Sequence, residues 1–178
     1  MKELSLNILD IAQNSVRAGA TLVELFLTQD DRCLTITIRD NGCGMDEETV
    51  RRLRDPFFTT RTTRSIGLGI PLFTLAAEQT GGNLKIESTT DPSKHGTTVT
   101  AVFYTDHIDC APLGDVISTL LTLIQGSETI DFVFTHNTPH RRVELDTRKL
   151  REVLGEVPLN LPDVLQWIRE DLSDQYKR

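Results

Sequence analysis

The sequence has few cysteines, no long apolar run and no excess of positive charge, and each shortage removes a class of protein. The three cysteines, Cys33, Cys43 and Cys110, are odd in number and form no C-x-x-C pair. They fit a reducing compartment better than a disulfide scaffold, and they make no zinc pattern. No apolar stretch approaches the roughly 18 residues of a membrane span. Ala18-Gly19-Ala20 imitates a signal-peptidase site, but Asp10, Gln13, Asn14 and Arg17 interrupt the run before it. The expected location is therefore the cytoplasm, with no membrane partner. A formal net charge of −7 and a pI near 5.1 argue against a nucleic-acid partner, which calls for a basic surface. A local basic cluster could still serve a smaller anion. No internal repeat and no low-complexity segment occur. What remains is a chain of 178 residues, 25% charged and 38% hydrophobic, typical of a soluble domain. That length suits one domain, or one domain with a small appendage, and needs neither disulfide nor metal to fold.

Residues 2–18 carry apolar positions at Leu4, Ile8, Ile11 and Ala12, a helical period closed by Gly19. The segments 21–27 and 33–38 read as two strands joined by the polar turn Gln29-Asp30-Asp31-Arg32. A short helix with an acidic start spans 47–53. The run from 54 to 66 has no period and reads as a loop. A helix is expected over 68–80, with Pro71 tolerated in its first turn and Gly81-Gly82 ending it. Residues 84–88 and 97–104 pair as a hairpin. The character changes near 106–112, and beyond it a helix (113–125), two strands (130–135 and 142–145) and two helices (147–154 and 162–176) are expected. The chain thus divides into residues 1–105 and an extension of 106–178.

Four places could carry chemistry. Asp10, Asn14 and Arg17 recur at i, i+4 and i+7, on one helix face opposite the apolar stripe. A carboxylate, an amide and a guanidinium on one face can orient a water, ligate magnesium and touch phosphate. On this segment alone a solvated polar face is the better account, since most polar faces of amphipathic helices are only wet. Asp40-Asn41-Gly42-Cys43-Gly44-Met45 follows a strand; a tight turn and a seat for a planar ligand against bare backbone fit it evenly. Cys43 within it could act as a redox brake, although a small side chain is the blander reading. Ile66-Gly67-Leu68-Gly69-Ile70 opens a helix, where free backbone N–H groups favour an anion. It is neither the Rossmann pattern nor a P-loop. The preceding Asp55–Ser65 segment gathers four threonines, one serine and two arginines, groups that suit triphosphate oxygens, although a solvated loop would serve. Finally, His95-Gly96-Thr97-Thr98 enters a strand, where a Thr hydroxyl could stand beside Asp40.

The order of these places is more specific than any one of them. Pro56-Phe57-Phe58-Thr59-Thr60-Arg61, Gly67-Leu68-Gly69-Ile70-Pro71 and Gly81-Gly82-Asn83-Leu84-Lys85-Ile86 join the helix and the D-x-G-x-G loop. Together, residues 1 to about 104 resemble the GHKL superfamily of ATP-binding domains, and most closely the ATP domain of histidine kinases and anti-sigma kinases. The resemblance implies an α+β fold: a two-layer α/β sandwich with helices on one face of a mixed sheet, here carrying a small α/β extension. It implies ATP and magnesium as cofactors. Asn14 would coordinate magnesium and Arg17 would contact phosphate. Asp40 would read the adenine amino group, with Gly42 and Gly44 lining the base and Thr97 supporting it. Thr60 and Arg61 would belong to the lid, and Gly67, Leu68 and Gly69 would hold phosphates.

Two departures from that pattern bear on function. Asp10 stands where hydrolytic members and anti-sigma kinases carry a Glu general base and histidine kinases usually an Asn; it keeps base chemistry possible with a shorter reach. The chain also begins on the first motif helix, and its four histidines, His95, His107, His136 and His140, do not lie in a phospho-acceptor setting. Phosphoryl transfer to a separate protein, or slow hydrolysis, is therefore expected, with Asp10 as the catalytic residue. The extension would bind a partner or form a homodimer. The alternative is a non-catalytic ATP sensor whose lid switches a partner surface. A DNA-repair or topoisomerase ATPase is disfavoured by the charge and by the lack of a transducer domain.

Overall fold

The computed structural model describes residues 3–54 and 67–178. The expected lid, including Thr60 and Arg61, lies outside them. The first helix, α1 (Leu4–Arg17), ends where Gly19 takes a positive φ of 76°. Then come strands β1 (Leu22–Gln29) and β2 (Cys33–Asp40), helices α2 (Glu47–Arg54) and α3 (Gly69–Gln79), and strands β3 (Asn83–Thr89) and β4 (Gly96–Tyr104). The extension supplies α4 (Val116–Gly126), β5 (Asp131–Asn137), β6 (Arg142–Asp146), α5 (Thr147–Leu154) and α6 (Pro162–Lys177). Expected and observed ends agree to within a few residues. The turn between β1 and β2 is fixed by Asp30, whose Oδ1 accepts from the N–H groups of Arg32 (2.9 Å) and Cys33 (2.8 Å).

All six strands form one sheet in the order β3-β4-β2-β1-β5-β6. The β1–β2, β2–β4, β3–β4 and β5–β6 pairs are antiparallel, whereas β5 joins β1 in parallel. The extension therefore continues the sheet of residues 1–105. Alternation along each strand sends one set of side chains to a covered face. Val23, Leu25 and Leu27, with Leu34, Ile36 and Ile38, form its centre; Val99, Ala101 and Phe103 lie to one side and Phe132, Phe134, Val143 and Leu145 to the other. The stripe Leu4, Ile8, Ile11 and Ala12 of α1 packs there beside Ile70, Phe73 and Ala77 of α3. Helix α4 then packs on α1, and α6 packs on α4 and β6. The other face presents Glu24, Phe26, Thr37, Arg39, Thr98 and Thr100, a half-polar surface.

The extension also holds the start of α1. The N–H groups of Leu4 and Ser5 would be orphans of the first turn. They donate to the carbonyls of Pro112 (2.9 Å) and Leu113 (2.8 Å), and Thr119 Oγ1 donates to the Ser5 carbonyl at 3.2 Å. Helix α4 has its own cap in Asp115, which accepts from Ser118 N at 2.9 Å.

A second tie is the buried His136 on β5. Its Nδ1 lies 2.9 Å from the Tyr176 hydroxyl of α6 and its Nε2 3.3 Å from Gln29 Oε1 of β1. An amide oxygen only accepts, so Nε2 carries the proton and Nδ1 accepts from the tyrosine. Burial, aided by the Arg141 charge, pulls the imidazole below its usual range, and burial pushes Tyr176 up to about 12. The unfolded state thus binds the His136 proton more readily than the folded state, so stability rises with pH. The contribution is complete above the ordinary histidine value and is lost as pH falls below it. Melting curves between about pH 7 and about pH 5.5 should show a falling midpoint, with a shallower fall in His136→Gln.

Candidate functional site

The site grows from the wet edge of α1. Packing Ile8, Ile11 and Ala12 against the sheet leaves Asp10 and Asn14 half-exposed and Arg17 exposed. Arg17 Nη1 donates to Asn14 Oδ1 at 3.2 Å. Asp10 has no hydrogen-bond or ion-pair partner among the described residues. The start of α3 comes up against this face: a Cβ built on Gly69 would stand 3.3 Å from Asp10 Cβ and 3.7 Å from Asn14 Nδ2. A larger residue at 69 would push the α3 N-terminus away from the two polar side chains. No side chain caps that N-terminus. Gly67 and Leu68 are exposed, and none of the described residues lies within 4 Å of the space beside Gly67. Uncapped N–H groups at the positive end of a helix dipole suit an anion.

The other half of the site is the end of β2. Asp40 lies on the helix-covered side, and its carboxylate is gripped from two directions. Ser15 Oγ donates to Oδ2 at 2.6 Å and the Gly42 N–H donates to Oδ1 at 2.9 Å. Asn41 fixes the strand end, because its Oδ1 accepts from Thr21 N (2.9 Å) and Leu22 N (3.0 Å). Thr97 is the register partner of Asp40. Its hydroxyl, however, pairs with Ser88 Oγ at 2.7 Å. Ser88 Oγ also accepts from Met45 N at 2.8 Å and donates to the Gly96 carbonyl at 3.0 Å. The serine proton is thereby used, so Thr97 is the donor and keeps its lone pairs.

The loop glycines serve close approach. A Cβ on Gly42 would meet Ala18 Cβ and O at 2.9 Å, where Cys43 N donates to the same carbonyl. Gly44 has φ +73°, and a Cβ there would fall 1.9 Å from the Thr89 carbonyl. The loop is thus threaded between the end of α1 and the β3–β4 hairpin. His95 Nδ1, 2.5 Å from the Gly42 carbonyl, must carry the proton and donate, since a carbonyl only accepts. Cys43 is exposed and unpaired with another cysteine.

Asp10, Asn14 and Gly69 therefore meet at one end, and Asp40, Gly42 and Thr97 at the other, joined by the adjacent positions 14 and 15. Thr60 and Arg61 cannot be placed in this geometry. Ser15 and Ser88 are not among the residues singled out from the sequence, and His95 is named there only for the motif that contains Thr97 and among the four histidines. Ser15 had a signal: it continues the stripe Ile8, Ile11 and Ala12, and a hydroxyl on a buried stripe calls for a partner.

The profile of the histidine kinase-, DNA gyrase B- and HSP90-like ATPases matches residues 1–107. The chain belongs to this family. Curated proteins that it resembles include sensor proteins and histidine kinases. It is 31% identical over 88 residues to sporulation kinase E of Bacillus subtilis, covering 49% of this chain and 12% of that protein. It is 32% identical over 88 residues to the signal transduction histidine-protein kinase AtoS of Escherichia coli, covering 49% and 14%. A putative sensor protein of Shewanella frigidimarina is 29% identical over 90 residues, 50% of this chain and 14% of the relative. The chain thus spans only a small part of these relatives. Among solved structures, the N-terminal domain of a DNA repair protein gives a TM-score of 0.56 at 18% identity, over 82% of this chain and 53% of that one. The MutL ATPase domain of Aquifex aeolicus, complexed with ADP, gives 0.54 at 13% identity, over 96% and 88%. At these identities the likeness is one of fold, and it reaches into the extension.

Two substitutions test the construction of the site. Ser15→Ala leaves the Asp40 carboxylate without one of its two donors and should lower unfolding free energy by about 1–2 kcal/mol in urea titrations. Gly44→Ala combines a left-handed backbone with a collision against Thr89 and should cost well over about 1 kcal/mol.

Proposed function

We propose that the protein binds Mg-ATP and passes the γ-phosphoryl group to a separate protein, or hydrolyses ATP slowly in a regulatory role. The observation that carries this is the convergence on α1 of a carboxylate held for an amine at one end and an unpartnered carboxylate beside an uncapped helix N-terminus at the other. Asp40, with each oxygen taking one protein hydrogen bond, keeps lone pairs to accept from the exocyclic amine of adenine. Thr97 would support the base. The N–H groups at Gly67, Leu68 and Gly69 would receive phosphate oxygens, with Arg17 adding charge.

The donors fit magnesium. An amide oxygen at Asn14, one turn from the Asp10 carboxylate, is the hard-oxygen chemistry this ion takes, and it usually completes its shell with water and phosphate. Bound there, it would neutralise charge on the phosphates. Asn14 would then exchange its contact with Arg17 for the ion, leaving the guanidinium to turn toward phosphate. Asp10, without a partner among the described residues, would accept the proton of the attacking water or acceptor hydroxyl. Two observations support an acceptor on another molecule. None of the four histidines lies on a helix: His95 precedes β4, His107 follows it, His136 is on β5 and His140 is in the β5–β6 turn. The family relatives are kinases of signalling systems.

Incubation with magnesium and γ-labelled ATP, scoring bound nucleotide, free phosphate and labelled protein, tests the proposal. Asp40→Asn should abolish binding at concentrations that saturate the parent. Asp10→Asn should bind normally and lose about 10²–10⁴-fold in turnover. Binding without turnover in the parent, with or without added protein acceptors, would instead make the protein an ATP sensor. Absence of binding in the parent would refute both.

A further inference from the structure

A groove of about 820 Å³ runs between the uncovered face of β1, β5 and β6 and the sides of α5 and α6. Phe26 and Val133 form an apolar floor, and Leu150 and Trp167 form a wall. Trp167 is 52% exposed, an unusual position for the sole tryptophan of the chain.

The charges around the groove are unevenly satisfied. Three of its four carboxylate side chains are ion-paired: Glu24 with Arg39 at 3.6 Å, Glu144 with Arg142 at 3.0 Å and Asp146 with Arg148 at 2.9 Å. Asp171 accepts from Gln175 at 2.7 Å. Arg141 and Lys149, both exposed, have no carboxylate within ion-pair distance among the described residues. In a chain of net charge −7, the groove thus holds three cations without an ion-pair partner among the described residues, Arg141, Lys149 and Arg178, against one such carboxylate side chain, Asp171. Arg141 and Lys149 stand beyond the two ends of β6, whose five residues span roughly 17 Å.

We propose that this groove binds an extended acidic segment of a partner protein. Such a segment would carry carboxylates near both ends, to meet Arg141 and Lys149, and apolar side chains between them, to cover Phe26, Val133 and Trp167. Side chains read it, because the open edge of β6 is already taken at Glu144: Gln175 Oε1 accepts from Glu144 N at 2.8 Å and Nε2 donates to its carbonyl at 3.1 Å. The groove shares no lining residue with Asp10, Asn14, Asp40, Gly42, Gly69 or Thr97. ATP is therefore not expected to compete for it, and the proposal stands independently of turnover at Asp10.

Trp167 is a built-in reporter. The full chain would be titrated with a heptapeptide having two acidic residues at each end and Leu-Phe-Val between, while tryptophan emission is followed. A saturable shift to shorter wavelength is expected, weakened by added salt and unaffected by saturating ATP. The double variants Arg141→Glu with Lys149→Glu, and Arg141→Gln with Lys149→Gln, should bind about tenfold or more weakly while keeping the parent circular dichroism. A twin peptide with lysine in place of every acid should give no shift, and nor should citrate. Absence of a saturable shift, equal binding of the twin or by both variants, or a response only to phosphatidylserine vesicles would overturn the proposal.

Discussion

Helix α1 has to bury one stripe and keep the opposite stripe wet, and the site exists because both demands fall on the same few turns. Ile8, Ile11 and Ala12 press onto the sheet. That fixes the rotation of the helix and sends Asp10, Asn14 and Arg17 outward together. The stripe ends at Ser15, where the buried hydroxyl finds Asp40. A rotation that improved packing at the expense of that hydrogen bond would leave both a hydroxyl and a carboxylate without a partner, a cost comparable to the packing gained. The two halves of the site, the strand end and the start of α3, are thus referred to a single rigid body.

The extension adds to that rigidity from the far side. A helix that begins with Leu4 has no side-chain cap, and its first amides would otherwise turn to water. Here the segment before α4 returns and offers carbonyls, and Gly114, at φ +80°, makes the bend that brings it past Glu3. Because β5 also pairs with β1, the extension touches the ATP-type domain through backbone hydrogen bonds at two places.

Much of this was legible in the sequence, because it follows from periodicity and punctuation. The 3.6 period of α1 and the period-2 alternation of β1 and β2 carry their own faces, and glycines mark the ends. The resemblance then arranged the motifs that each, alone, supported a bland reading. What was not legible depends on contacts between distant segments. Nothing in residues 130–145 says that β5 joins β1 in parallel. The grip of Ser15 on Asp40 spans 25 positions, and the hydroxyl of Thr97 turned to Ser88 for its partner. Gly42 and Gly44 read from the sequence as bare backbone against a planar ligand, whereas the structure puts Ala18 and Thr89 in the space that a side chain at each would take.

An acidic chain that takes a polyanion needs explanation, and the geometry supplies one. Beyond about 8 Å, physiological salt screens the net charge of −7 between exposed groups, so a bound phosphate responds mainly to its immediate surroundings. There it would face backbone N–H groups of α3 and the Arg17 guanidinium. On the proposed function, the Asp10 carboxylate would act against it, and a divalent ion held at Asn14 would offset that repulsion. That would give the metal a structural reason beyond charge neutralisation in general. Without it, Asp10 beside the α3 N-terminus would repel the phosphates; with it, the same carboxylate would be tolerated there and left to take a proton. One side chain would thereby make tight phosphate binding conditional on the ion that the phosphoryl transfer also requires.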